Sequence, residues 1–163
     1  MKKICFGIVA ALLAQAALAS GIRAENAWAR ETVDGMSMGG VFMGLANHSQ
    51  KDDVLIGASS PVAEKVEIHE HIHENGMMKM REKAGGLALP KGKTLELKPG
   101  GYHVMLMGLK HTLKADKTFP LTLQFKHGGK QRVEVRVQPN AGGVHHHHRN
   151  HDHNHHAHEH HRH

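Results

Sequence analysis

Apolar and polar residues alternate with a period of two along most of the chain. After residue 20, no stretch longer than about ten residues keeps the 3.6-residue period of a helix. The clearest alternation runs over residues 64–71. Val66 and Ile68 fall on one face of a strand there, with Glu67, His69 and His71 on the other. Residues 131–138 repeat the pattern, with Val133, Val135 and Val137 set against Glu134 and Arg136. Further strands are predicted over 25–33, 41–46, 52–58, 77–81, 94–97, 102–107 and 119–126. Turn chemistry separates them: Asp34-Gly35, Asn47-His48-Ser49, Pro90-Lys91-Gly92 and His127-Gly128-Gly129. Asn75-Gly76 predicts a tight hairpin between residues 64–71 and 77–81. Met36-Ser37-Met38-Gly39-Gly40 reads as a loop. Eight or nine short strands with frequent turns predict an all-β sandwich. About 120 residues suffice for one such two-sheet core.

The two ends have a different composition. Met1-Lys2-Lys3 precedes an apolar run to Leu18 and the small-x-small sequence Ala17-Leu18-Ala19. Residues 1–19 therefore read as a secretory signal peptide cleaved after Ala19, too short and Ala-rich for a membrane span. The expected location is the periplasm, with no stable membrane insertion after cleavage. Residues 20–140 form the predicted sandwich, and residues 141–163 a disordered extension. Ala141-Gly142-Gly143 acts as a hinge, and twelve of the last nineteen residues are histidine.

Cysteine usage and charge narrow the chemistry. The only cysteine, Cys5, lies inside the signal and lacks the small-residue context of a lipoprotein site. The mature chain thus has no thiol, and its fold cannot depend on disulfides. A soft-metal site would have to use thioether and imidazole. The formal charge of +6 includes Lys2 and Lys3, and the remaining basic residues are spread among acids. With one Trp, one Tyr and no basic-aromatic patch, the chain is not expected to bind nucleic acid. It contains no cysteine nucleophile in the mature part, and its carboxylates form no catalytic pattern. An enzyme is therefore not expected.

Histidine and methionine cluster between residues 69 and 107. His103, Met105 and Met107 share one strand face, opposite Val104 and Leu106; Met78 and Met80 share another. Taken singly, a methionine is commonly a core filler and a strand histidine a half-exposed polar residue. Together, and without cysteine, two imidazoles and two thioethers suit Cu(I), a soft monovalent ion that neutral donors can hold without burying uncompensated charge. Without a thiolate, a blue-copper electron-transfer centre is excluded.

The run His69…Met80…His103-Val104-Met105, set in Lys98-Pro99-Gly100-Gly101-Tyr102-His103-Val104-Met105-Leu106-Met107-Gly108-Leu109, closely resembles the periplasmic copper chaperones of the PCu(A)C type. Ala58-Ser59-Ser60-Pro61-Val62-Ala63 and Val66-Glu67-Ile68-His69-Glu70 extend the likeness, which covers roughly residues 25–138. The first gap between the matched residues, 70–79, has the family's ten positions; the second, 81–102, is one longer, an excess attributed to the loop over 85–90. The resemblance implies a cupredoxin-like β-sandwich and a Cu(I) site made by His69, Met80, His103 and Met105. It further implies delivery of copper to a respiratory cytochrome oxidase, with the oxidase copper subunit or a thioredoxin-like assembly factor as partner.

Other residues are auxiliary candidates. Met36 and Met38 sit where packing explains them poorly. His71 and His73 continue the polar face of His69, either as solvent-facing side chains or as an entry route. In the tail, His145, His146, His147, His148, His151, His153, His155, His156, His158, His160, His161 and His163 suit Cu(II) or Zn(II), with affinity falling below about pH 6 as the imidazoles protonate. A second reading follows from the tail: a periplasmic copper or zinc buffering or acquisition protein. A third is a structural β-sandwich whose Met and His are incidental. Met43 and Met107 are assigned to packing.

Overall fold

The computed structural model describes residues 21–140. The predicted signal peptide, Cys5 and the histidine-rich residues 145–163 lie outside the described residues. The described chain is all β: β1 (Ile22–Arg30), β2 (Met38–Asn47), β3 (Asp53–Ser59), β4 (Ala63–Glu74), β5 (Met77–Glu82), β6 (Leu87–Leu89), β7 (Thr94–Leu97), β8 (His103–Leu109), β9 (Thr118–Phe125) and β10 (Gly129–Gln138). The hydrogen-bonded order is β5-β4-β8-β2-β1-β10-β9-β3-β6, with β7 also pairing β2. Neighbours run antiparallel except β1 and β10, which are parallel.

One hydrophobic cluster fills the interior. Ile68 of β4, Val41 and Leu45 of β2, Val104 and Leu106 of β8, Leu121 and Leu123 of β9 and Val135 of β10 all belong to it. Residues so far apart in the strand order can share a cluster only if the sheet folds over on itself, as a sandwich does. β2 makes the fold-over possible. Its first half pairs with β8 and its second with β7, so one long strand serves two neighbours on the same side. The predicted sandwich class is therefore observed. Most strands lie within a few residues of their predicted positions. Two features differ. Residues 38–40 are strand rather than loop, because Met38, Gly39 and Gly40 pair with Met107, Leu106 and Met105. β6, only three residues long, is too short to show a period of its own, yet it buries Leu87 and Leu89 against the core.

The Asn75-Gly76 turn has φ of 52° and 75°, the doubly left-handed geometry that a two-residue hairpin needs. It sets the register of β4 on β5: His73 faces Met78, His71 faces Met80 and His69 faces Glu82. β4 also pairs with β8, but only as far as His69, which faces His103. His69 is thus the one β4 residue with recorded partners on both sides. Beyond it, the β4–β5 hairpin overhangs the sheet.

Asp53 anchors the start of β3. It is buried, and the backbone N–H groups of Val54, His127 and Gly128 donate to its carboxylate at 2.7, 2.9 and 2.7 Å. Burial alone would raise its pKa. The three N–H donors, with His127 nearby, outweigh that and hold the carboxyl below its ordinary 3.8. A carboxyl with a depressed folded pKa stabilises the fold above its unfolded pKa, and that stabilisation is lost as pH falls through the folded value. Asp53→Ala is expected to cost about 2–3 kcal/mol at pH 7, the scale of hydrogen bonds to a charged group. Urea unfolding at a series of pH values checks this: the gap to wild type should narrow below pH 3.8.

Candidate metal centre

The registers of β2, β8, β4 and β5 place one set of positions on a common face. These are Met38 and Gly40 of β2; His103, Met105 and Met107 of β8; Glu67, His69, His71 and His73 of β4; and Met78, Met80 and Glu82 of β5. The alternate β8 residues, Val104 and Leu106, point into the core and are fully buried. His103 and Met105 are nearly buried themselves, at 3% and 8% exposure, and His69 stands at 9%. The site is therefore a covered patch on the sheet, opposite the core.

His103 is its centre. Its ring lies 5.8 Å from that of His69 and 5.1 Å from that of His71, centroid to centroid. Its Nε2 is 3.0 Å from the Met80 sulfur. Met80 sits across from His71 on β5, two strands from β8, so its side chain spans β4 to reach His103. An unbranched thioether with three rotatable bonds suits that reach. On the other flank, the Phe42 ring lies 6.2 Å from His103 and 4.7 Å from Trp28, giving the patch an aromatic wall. Gly40, across from Met105, leaves room for that wall: a Cβ there would stand 3.1 Å from Phe42 Cζ.

Hydrogen bonds to the rings decide which nitrogens can donate to a metal. The Gly101 carbonyl accepts from His103 Nδ1 at 3.1 Å and from His71 Nδ1 at 3.2 Å. With Nδ1 protonated, the lone pair of each ring sits on Nε2, and in His103 it points at the Met80 sulfur. His69 is fixed the other way round. Its Nε2 donates to Glu67 Oε2 at 2.7 Å, and its Nδ1 is buried with no hydrogen-bond partner. A buried unpaired lone pair is costly and therefore uncommon; beside a second imidazole and a thioether, it is a ready donor for a soft cation. Glu67 also pairs with Lys65, and the His69 and Lys65 bonds hold its carboxyl below the usual range. Carboxylate–His and carbonyl–His pairs of this kind fix the tautomer and orientation of metal-binding rings. Among the described residues, no group of three or more His, Cys, Asp or Glu could hold a metal ion. A donor set built on thioether as well as imidazole favours soft ions over Zn(II), Mg(II) or Ca(II).

The family follows from comparison of the whole chain. The family described as "Putative lipoprotein LpqE-like" matches residues 22–137, from the start of β1 into the end of β10. The chain belongs to the LpqE-like family. A protein of Leifsonia xyli subsp. xyli named "Putative lipoprotein" is 36% identical over 124 residues, spanning 76% of this chain and 74% of the relative. Among solved structures, the Cu(I) form of DR1885 from Deinococcus radiodurans is 32% identical, with a TM-score of 0.58 over 78% of this chain and 87% of that one. Its apo form is 30% identical, with a TM-score of 0.59 over 86% and 95% of the two chains. The apo PCuAC domain from PmoF1 reaches a TM-score of 0.62 over 73% and 94% at 20% identity, which speaks for the fold alone. The predicted cupredoxin-like architecture is thus the observed one.

In this LpqE-like chain, the four positions named by resemblance, His69, Met80, His103 and Met105, lie on one face. His71 joins them through Gly101 and His103 rather than facing solvent alone. His73 lies farther out on the hairpin and is exposed. Met36 and Met38 are each 49% exposed, and Met38 faces Met107, two pairs along from His103. Met43 packs in the core as expected; Met107 is only half-buried and sits on the site face. The tail histidines lie outside the described residues. Sequence reasoning left Glu67, Gly101 and Phe42 without roles. Glu67 could have been found from its shared parity with His69. The Gly101 carbonyl and the Phe42 wall depend on strand pairing that no local pattern reveals.

Burial lowers the His103 pKa below its ordinary 6.5, and the nearby His71 and His69 add to the effect, against the bond to Gly101. The ring is expected to stay neutral, with Nε2 available, to a pH below 6.5. Ring ¹⁵N shifts across a pH titration check this, with the Nδ1-protonated tautomer the expected neutral form.

Proposed function

We propose that this chain is a periplasmic Cu(I) carrier that binds the ion at His69, Met80, His103 and Met105 and passes it by ligand exchange to the copper centre of a respiratory oxidase. The observation that carries the reading is the approach of His103 Nε2 to the Met80 sulfur at 3.0 Å, with the His69 ring 5.8 Å from that of His103 and its buried Nδ1 without a partner. Likeness to a protein solved in a Cu(I) form, at 32% identity, supports copper as the cargo. A carrier must also release what it binds. Met80 is 43% exposed on an edge strand while His103 is buried, so an acceptor could displace the outer thioether first. All four donors are neutral, so Cu(I) can move between them and similar donors without a redox step. Export fits a family described in lipoprotein terms, and no described helix is long and apolar enough to cross a membrane.

The histidine tail supports a second reading, metal buffering, because twelve imidazoles could outnumber the sandwich site in capacity. Competition of the full chain with a Cu(I) chelator separates the two. Met80→Leu with Met105→Leu is expected to weaken the tight Cu(I) equivalent by at least about 100-fold, and truncation after Gly143 to leave it unchanged; loss with the tail and survival of the double variant would refute the carrier. Glu67→Ala, which frees His69 to turn, is expected to weaken Cu(I) binding by about 10- to 100-fold while the fold persists by circular dichroism.

A further inference from the structure

The β4–β5 hairpin beyond His69 has two chemically distinct faces. One carries charge. Arg81 donates to Glu70 at 2.9 Å, Lys83 lies 3.6 Å from the same carboxylate, and Lys79 donates to Glu74 at 2.6 Å. The other face carries neutral soft and borderline donors in two successive cross-strand pairs, His71 with Met80 and His73 with Met78. Residues directly opposite on antiparallel strands have Cβ atoms about 4.5–5.5 Å apart, and the next pair lies within reach of long side chains. Exposure rises steadily outward: His103 is 3% exposed, Met80 43% and Met78 55%. Met77 is 59% exposed but lies on the charged face, across from Glu74.

We propose that His73 and Met78, backed by His71 and Met80, form a second soft-metal station through which Cu(I) enters and leaves the His69–His103 site. The chemistry is the same as in that site, two imidazoles and two thioethers, but on an overhanging hairpin that a partner can approach. Met80 belongs to both stations. A Cu(I) ion held outside can therefore exchange its donors one at a time, His73 and Met78 giving way to His103 and Met105, without ever becoming a bare ion. Metal and donors keep their charges throughout, so the step needs neither oxidant nor proton acceptor. Met78 exposed next to Met80, and His73 exposed beyond His71, would otherwise be an apolar and a weakly polar side chain placed in water without a packing reason.

The station rests on the carrier reading, and one experiment distinguishes their failures. The full chain is labelled with ¹³C at the methionine methyl groups and titrated with Ag(I), a redox-inert stand-in for Cu(I). The tail has no methionine and is silent in this readout. The first tightly bound equivalent is expected to move the Met80 and Met105 methyls. A later equivalent is expected to move Met78, while Met77 on the opposite face and Met43 in the core stay put. His73→Gln with Met78→Leu should abolish the second event, leave the first at the same stoichiometry, and slow Cu(I) transfer to a chromogenic chelator several-fold. An unmoved Met43 methyl in that variant reports an intact core. Met80 and Met105 shifting with Met78 still, or a transfer rate unchanged in the variant, overturns the station and leaves the carrier standing. Met78 shifting with Met80 and Met105 still overturns the carrier site and the relay with it.

Discussion

The site depends on one constraint, the register of β4 between two unequal neighbours. His69 faces His103 on one side and Glu82 on the other, and no other β4 residue is paired both ways. A slip of one residue on either side would turn the donors of β4 and of that neighbour to opposite faces, because side chains alternate strictly along a strand. Two devices hold the register. The Asn75-Gly76 turn fixes β4 on β5. Ile68 of β4, with Val104 and Leu106 of β8, fixes β4 on β8 through the core, since a slipped strand would bury polar positions in their place.

With the register fixed, the ligand chemistry is set by second partners. An imidazole donates to a metal from only one nitrogen, and the hydrogen bond made by the other determines which. Here Glu67 takes one His69 nitrogen and the Gly101 carbonyl takes one nitrogen each of His71 and His103. Gly101 follows Gly100, whose φ of 81° turns the chain just before β8 begins. The glycine turn is thus part of the site: it places a carbonyl where two rings need an acceptor. Burial lowers the pKa of His103, and the result is a neutral ring in a mostly dry patch.

Much of this was legible in the sequence because the signals were local. Alternation at 64–71 and 131–138, the Asn-Gly turn and the lack of helical period gave the fold class, and parity sorted the histidines from the core residues beneath them. What escaped was set by long-range pairing. Residues 38–40 look like a loop because Met-Ser-Met-Gly-Gly has no apolar alternation; they become strand because β8 offers them a ladder. The burial of Phe42 beside His103 comes from β2 passing next to β8, a neighbour sixty residues away in sequence. Parity could place His71 and Met80 each on a face, but only the pairing shows that the two are directly opposed and that Met80 reaches past β4 to His103.

The same register explains why capture and release need not conflict. A buried, fully enclosed site of this donor set would hold Cu(I) well and give it up slowly. This site is enclosed on one flank only. Phe42 and Trp28 close the β2 side, and a side chain at Gly40 would press on that wall. The β5 side stays open, because β8 ends its pairing at His69 while β4 continues for five more residues with β5 alone. The overhang follows from strand lengths: twelve residues in β4 against seven in β8. On the carrier reading proposed above, it leaves the exposed thioether of Met80 between the buried His103 and the open hairpin, where an acceptor would meet the thioether before the imidazoles.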